Sequence, residues 1–197
     1  HSTSRRQRQM CIRDSIRASL DAFAKQNIQL IWQTGKTFYK EAIEAAKDFN
    51  QVRVYEFISK MDYAYSMADL VISRAGASTI SELCIVGKPS VLVPSPNVAE
   101  DHQTKNAMAL VNNHATIMVN DVDAPIKLVD EALKLINSSN MLLSLTSNIR
   151  KLALPNSAIK IAEEVIKLAM TKNGSTQSDL QQNGRSRGGS NSIAAII

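Results

Sequence analysis

A chain of 197 residues, 44% of them hydrophobic, is long enough for one domain with a real core. Its net charge of +5 sits at the two ends: residues 1–15 carry +3, residues 172–197 carry +2, and residues 16–171 are neutral. With aromatics at 5%, that balance argues against a nucleic-acid surface, and no apolar run nears the ~20 residues of a membrane-crossing helix.

Residues 1–15, HSTSRRQRQMCIRDS, have arginines but no apolar stretch behind them, so they do not form a signal peptide. They read as a non-native or disordered arm and are set aside from the functional reading. Ile16, Leu20 and Phe23, spaced by four and three, predict a helix over 16–26. A strand follows over 28–33, then a turn at Gly35-Lys36 and a helix over 37–48. Residues 52–58 read as the next strand and 61–68 as a short helix. Strands alternating with helices at this spacing predict an α/β fold: a Rossmann-like parallel sheet with helices on both faces. Cys11 and Cys84 lack metal-ligand spacing and suggest a reducing compartment.

The chemistry concentrates between Asp69 and Asn106. Leu70-Val71-Ile72 is a buried strand, and a small-residue loop follows from Ser73 to Thr79. A helix with Ile80, Leu83, Cys84 and Val86 on one side ends at Gly87, and residues 90–93 form the next strand. Small residues let a ligand approach the backbone, and the helix start offers unbonded N–H groups and a positive dipole end. Ser78 and Thr79 add hydroxyls, and Glu82 is placed to accept bonds from vicinal hydroxyls such as those of a ribose. Thr79-x-x-Glu82 also reads as a capping box, which needs no ligand. Neither a dinucleotide nor a P-loop fingerprint occurs. Polar residues 101–106 then crowd after the strand over 90–93, where open α/β sheets bind ligands.

Residues 115–119 read as a fifth strand, followed by helices over 124–137, 141–153 and 157–170, the last capped by Asn156 or Ser157. That last helix presents one apolar face through Ile159, Ala162, Ile166 and Ala169. Residues 172–197, rich in Gly, Ser, Gln and Asn, read as a disordered tail.

Taken together, residues 74–83 (RAGASTISEL), Gly87-Lys88-Pro89, Val93-Pro94 and residues 101–107 (DHQTKNA) closely resemble the donor-binding domain of the MurG family. The likeness extends to residues 32–36 (WQTGK) and 54–58 (VYEFI), and covers roughly residues 16–171. That family consists of peptidoglycan N-acetylglucosaminyltransferases with two Rossmann-like domains in the GT-B arrangement. The resemblance implies that residues 16–171 are a UDP-GlcNAc-binding donor domain, the C-terminal half of such an enzyme. The implied reaction transfers GlcNAc, with inversion, to undecaprenyl-pyrophosphoryl-MurNAc-pentapeptide, forming lipid II.

By motif match, the backbone at Ile58 holds the uracil base and Glu82 binds the ribose hydroxyls. Ala77, Ser78 and Thr79 contact the sugar and diphosphate, with Ile80 and Ser81 completing the segment. Gln103 and Asn106 hold the GlcNAc hydroxyls. Arg74 is either a ligand residue or an organiser of its loop, and His102 is a satisfied polar histidine or a base. No catalytic residue, metal or cofactor is assigned to this chain. The lipid I acceptor and peripheral attachment to the cytoplasmic face of the bacterial inner membrane would belong to the N-terminal half, whose glycine-rich motifs are absent here. On this reading the chain is inactive alone. Two alternatives stay open: a donor-binding subunit that works with a separate acceptor-domain chain, and a UDP-sugar epimerase-type GT-B domain.

Overall fold

A computed structural model describes residues 10–96, 101–173 and 193–196. In chain order the elements are α1 (Met10–Ala18), α2 (Leu20–Lys25), β1 (Leu30–Gln33), α3 (Tyr39–Ala46), β2 (Val52–Tyr55), α4 (Met61–Met67), β3 (Ala68–Ser73) and α5 (Ala77–Val86). There follow β4 (Ser90–Leu92), α6 (His102–Val111), β5 (Ile117–Met118), a 3-10 turn (Asp121–Asp123), α7 (Ala124–Ile136), α8 (Ser139–Lys151), α9 (Ser157–Asn173) and β6 (Ile193–Ile196). Of the described residues, 10–153 and 193–196 form one compact unit and 154–173 belong to another.

The six strands form a parallel sheet in the order β2-β1-β6-β3-β4-β5. Alternation along each strand sorts side chains onto two faces. Leu30, Trp32, Leu70, Ile72, Val91 and Val93 join one apolar cluster with residues of α1, α2, α3 and α7. Val71 and Leu92 join a second cluster with Tyr65 of α4, Leu83 and Cys84 of α5, and Ala107 and Leu110 of α6. Helices therefore cover both faces, as the alternating pattern predicts. Trp32 is fully buried and meets Phe38 edge-on, with ring centroids 5.8 Å apart.

Two terminal readings change. The first helix begins at Met10, within the segment read as an arm, and Ile12 and Ser15 are buried. The reason is periodic: Ile12 lies four residues before Ile16 and extends the stripe that continues through Leu20 and Phe23. Residues 193–196, inside the segment read as a disordered tail, form the central strand β6. Ile-Ala-Ala-Ile is an apolar run within a polar stretch, and a strand flanked on both sides is built from such runs. Residues 1–9, 174–192 and 197 lie outside the described residues.

The second compact unit starts at Leu154, within the segment expected as the donor domain. Within that unit α9 starts after Asn156, whose carbonyl accepts the Lys160 N–H at 2.9 Å, and it exposes Ile159, Ile161, Val165, Ile166 and Leu168.

Helix α5 has well-defined ends. Gly76 is its N-cap, and Gly87, at φ 67°, adopts the left-handed conformation that closes it. The Gly87 and Lys88 N–H groups both donate to the Leu83 carbonyl, at 2.9 and 3.2 Å.

Candidate functional site

Five segments meet at the carboxyl ends of the strands: residues 33–35 after β1, 56–60 after β2, 74–79 after β3, 93–96 after β4, and the start of α6. Side chains tie them to one another. The Gln33 Oε1 accepts the Ile58 N–H at 2.7 Å, and the Gly35 N–H donates to the Glu56 carbonyl at 3.0 Å. The Arg74 guanidinium donates to the carbonyls of Val93 (3.1 Å) and Pro94 (3.3 Å) and pairs with the Asp121 carboxylate. Arg74 thus holds the exits of β3 and β4 together. Arg13 lies over the Phe38 ring. Burial and then the nearby Arg74 charge hold the Arg13 guanidinium below its ordinary range, against the pull of Asp14.

The capping box does not form. Because Gly76 occupies the N-cap, Thr79 is the third helical residue, and no side chain caps the helix. The first helical bond runs from the Ile80 N–H to the Gly76 carbonyl at 2.9 Å. The N–H groups of Ala77, Ser78 and Thr79 therefore precede the helical ladder and point out of its positive end. Ala77 and Ser78 are exposed and Thr79 is half-buried. Ile80 packs on the second core cluster, and the Ser81 hydroxyl donates to the Ala77 carbonyl at 3.0 Å.

Glu82 is exposed and lies a turn and a half beyond the N-cap. One of its carboxylate oxygens accepts a hydrogen bond from the Tyr65 hydroxyl at 2.9 Å, and the other has no hydrogen-bond partner among the described residues. Tyr65 is 4% exposed. Burial first, then the Glu82 hydrogen bond, hold its phenol well above the ordinary range, so it remains a neutral donor.

On α6, the Gln103 Oε1 accepts the Ser95 N–H at 2.8 Å, and the Asn106 Nδ2 donates to the Ala75 carbonyl at 3.1 Å. His102 is exposed and opens the helix, after Asp101 at φ 54°. Beside Ile58 lies a cavity of about 270 Å³, lined among others by Tyr55, Phe57, Ser59, Lys60 and Tyr63. Two of these lining rings are open to solvent, Phe57 at 74% and Tyr63 at 59% exposure. Sequence reasoning picked out Ile58 at this strand exit but gave no role to these rings, to Gln33 or to Tyr65. The exposed rings had one available signal: an aromatic-rich run, Tyr55 to Tyr63, spanning a strand exit.

Ala64 lines the cavity while its neighbour Tyr65 holds Glu82, so α4 links the two places directly. The arrangement offers a small cavity lined by aromatic rings, an anchored carboxylate, and a helix start suited to an anion. Among the described residues no helix is long and apolar enough to cross a membrane.

Known proteins match this chain closely. It is 53% identical over 159 residues to the UDP-N-acetylglucosamine--N-acetylmuramyl-(pentapeptide) pyrophosphoryl-undecaprenol N-acetylglucosamine transferase of Parabacteroides distasonis, covering 80% of this chain and 43% of that protein. It is also 53% identical over 166 residues to the transferase of the same name from Bacteroides thetaiotaomicron, covering 82% of this chain and 45% of that one. The crystal structure of Acinetobacter baumannii MurG superposes with a TM-score of 0.68 at 26% identity, covering 79% of this chain and 49% of that chain. The chain thus spans less than half the length of the curated relatives it matches. Residues 7–165 match the glycosyltransferase family 28 C-terminal domain, and the chain belongs to that family.

Proposed function

We propose that this chain is the UDP-GlcNAc-binding donor domain of an inverting N-acetylglucosaminyltransferase that forms lipid II in peptidoglycan synthesis, a hexosyltransferase. The observation that carries the reading is Glu82: an exposed carboxylate, anchored on one side by a buried tyrosine and open on the other, with no helix-capping duty. A carboxylate kept this way suits two vicinal hydroxyls. Names and identities of the relatives support the same donor.

In this reading the uracil enters the cavity at Ile58, where fixed backbone groups read the base edge and the exposed rings flank it. The cavity's 270 Å³ is at or below the ~300–1,000 Å³ of sites for whole drug-sized ligands, which suits a base rather than the entire nucleotide sugar. The ribose meets Glu82, the diphosphate the N–H groups of residues 77–79, and the GlcNAc hydroxyls Gln103 and Asn106. In transfer the acceptor hydroxyl attacks the anomeric carbon as the bond to UDP breaks. Negative charge builds on the leaving diphosphate, and the start of α5 supplies fixed dipoles toward it. No residue of this chain is assigned to take the acceptor proton. The lipid-linked acceptor and attachment to the cytoplasmic face of the bacterial inner membrane belong to the part of the enzyme that these residues do not represent.

Isothermal titration of the chain with UDP-GlcNAc, UDP-glucose and NAD tests the reading. Binding of UDP-GlcNAc, weaker binding of UDP-glucose and none of NAD is expected. Binding of NAD as tight as that of UDP-GlcNAc, or no binding of any uridine nucleotide, would overturn it.

A further inference from the structure

We infer that Tyr65 is a positioning residue that aims the Glu82 carboxylate at the ribose and so sets the domain's preference for ribose hydroxyls. The inference rests on the donor-site reading above and goes one residue deeper. Glu82 is exposed, and a free glutamate side chain on a helix surface samples several rotamers. A vicinal diol is held well only by a carboxylate whose plane and tilt are already set, because ordering it at the moment of binding subtracts from affinity.

Tyr65 supplies that ordering from below. Its ring packs in the second core cluster with Val71, Leu83 and Leu92. Two torsions fix a buried tyrosine, so its hydroxyl is a point of known position. From there it donates to one Glu82 oxygen at 2.9 Å, leaving the other without a hydrogen bond among the described residues. The same helix places Ala64 in the wall of the cavity beside Ile58. One short helix thereby sets the spacing between the base slot and the ribose carboxylate.

The competing view is that Tyr65 is a core residue whose hydroxyl merely found a partner. The two views differ in what a phenylalanine changes. Tyr65→Phe keeps the ring and its packing. It leaves no buried group stranded, since Glu82 is exposed to water, so the variant folds. A purely structural tyrosine would show its loss in melting temperature and, if binding changed at all, equally for every uridine nucleotide.

The test titrates UDP and 2′,3′-dideoxy-UDP into the parent chain, Tyr65→Phe, Glu82→Gln and the double variant, with a thermal melt of each. UDP binding should weaken roughly two- to tenfold in Tyr65→Phe, the scale of one ordinary hydrogen bond. Dideoxy-UDP binding should not change. Glu82→Gln should weaken UDP about tenfold or more, since a charged hydrogen bond is lost, and Tyr65→Phe should add nothing in that background. Equal loss for both nucleotides, or a Tyr65→Phe chain that binds UDP like the parent while Glu82→Gln does not, overturns the positioning role and leaves the donor site standing. A Glu82→Gln chain indistinguishable from the parent sinks the ribose assignment itself, and this inference with it.

Discussion

Removing residues 191–197 should split the sheet. Strand β6 lies at its centre, with Leu30, Ile31 and Trp32 of β1 on one side and Ala68, Val71 and Ile72 of β3 on the other. An edge strand can be lost with one ladder; a central strand takes two. Pairing with both neighbours engages about six backbone groups, at roughly 0.5–1.5 kcal/mol net per hydrogen bond, or on the order of 3–9 kcal/mol. A domain has about 5–15 kcal/mol in all. At about 2–4 °C per kcal/mol for this chain length, the truncated chain should melt at least ~6 °C lower. It should also bind an apolar dye, because the edges of β1 and β3 become open. Ala195→Pro should act in the same direction, since proline removes an N–H from a central ladder. Uridine-nucleotide affinity should fall along with stability, because β6 separates the β1–β2 side, with the cavity, from the β3–β4 side, with α5. Circular dichroism melts and dye fluorescence on the parent and the truncation decide the matter. A melting temperature within about 2 °C of the parent, with no dye binding, would refute the central placement of β6.

Gly87→Ala should lower stability by about 1–2 kcal/mol, or about 2–8 °C, because Gly87 is left-handed and an added Cβ would lie 2.3 Å from the Arg150 Nε. Nucleotide affinity should be unchanged, and an unaltered melt would contradict the strain argument. Gln33→Ala should raise affinity for uridine nucleotides by up to roughly tenfold, since its Oε1 occupies the Ile58 N–H that the base needs. Weaker binding on titration would show that Gln33 supports the slot rather than competes for it.

Much of the frame was readable because it is periodic. Each of the first five strands falls within a segment read as a strand or buried apolar run, and Gly87 ends its helix as expected for a left-handed cap. What escaped was tertiary. Tyr65 and Glu82 are 17 residues apart on different helices, and no local pattern announces their bond. The capping box failed for a related reason. Thr79-x-x-Glu82 has the right spacing, but the helix starts where the chain leaves β3, and that exit puts Gly76 at the cap. Strand β6 was hidden by averaging, since four apolar residues barely register within a polar tail and become a strand only between two partners. Helix α1 was hidden by its arginines, although Ile12 lies on the same stripe as Ile16.

The amides of α6 show why residue type matters as much as position. The Gln103 side chain spends its oxygen on the Ser95 N–H, and Asn106 spends its nitrogen on the Ala75 carbonyl. Each bond fixes a strand exit, and each leaves the opposite atom, Gln103 Nε2 and Asn106 Oδ1, without a hydrogen bond among the described residues. An amide can do this because it carries a donor and an acceptor on one rigid plane. A carboxylate at 106 could not donate to the Ala75 carbonyl, and one at 103 would have no donor left for a sugar oxygen. Under the donor-site reading, the groups facing the sugar are therefore held in place by the loops they secure, so little ordering remains to be done when the ligand arrives.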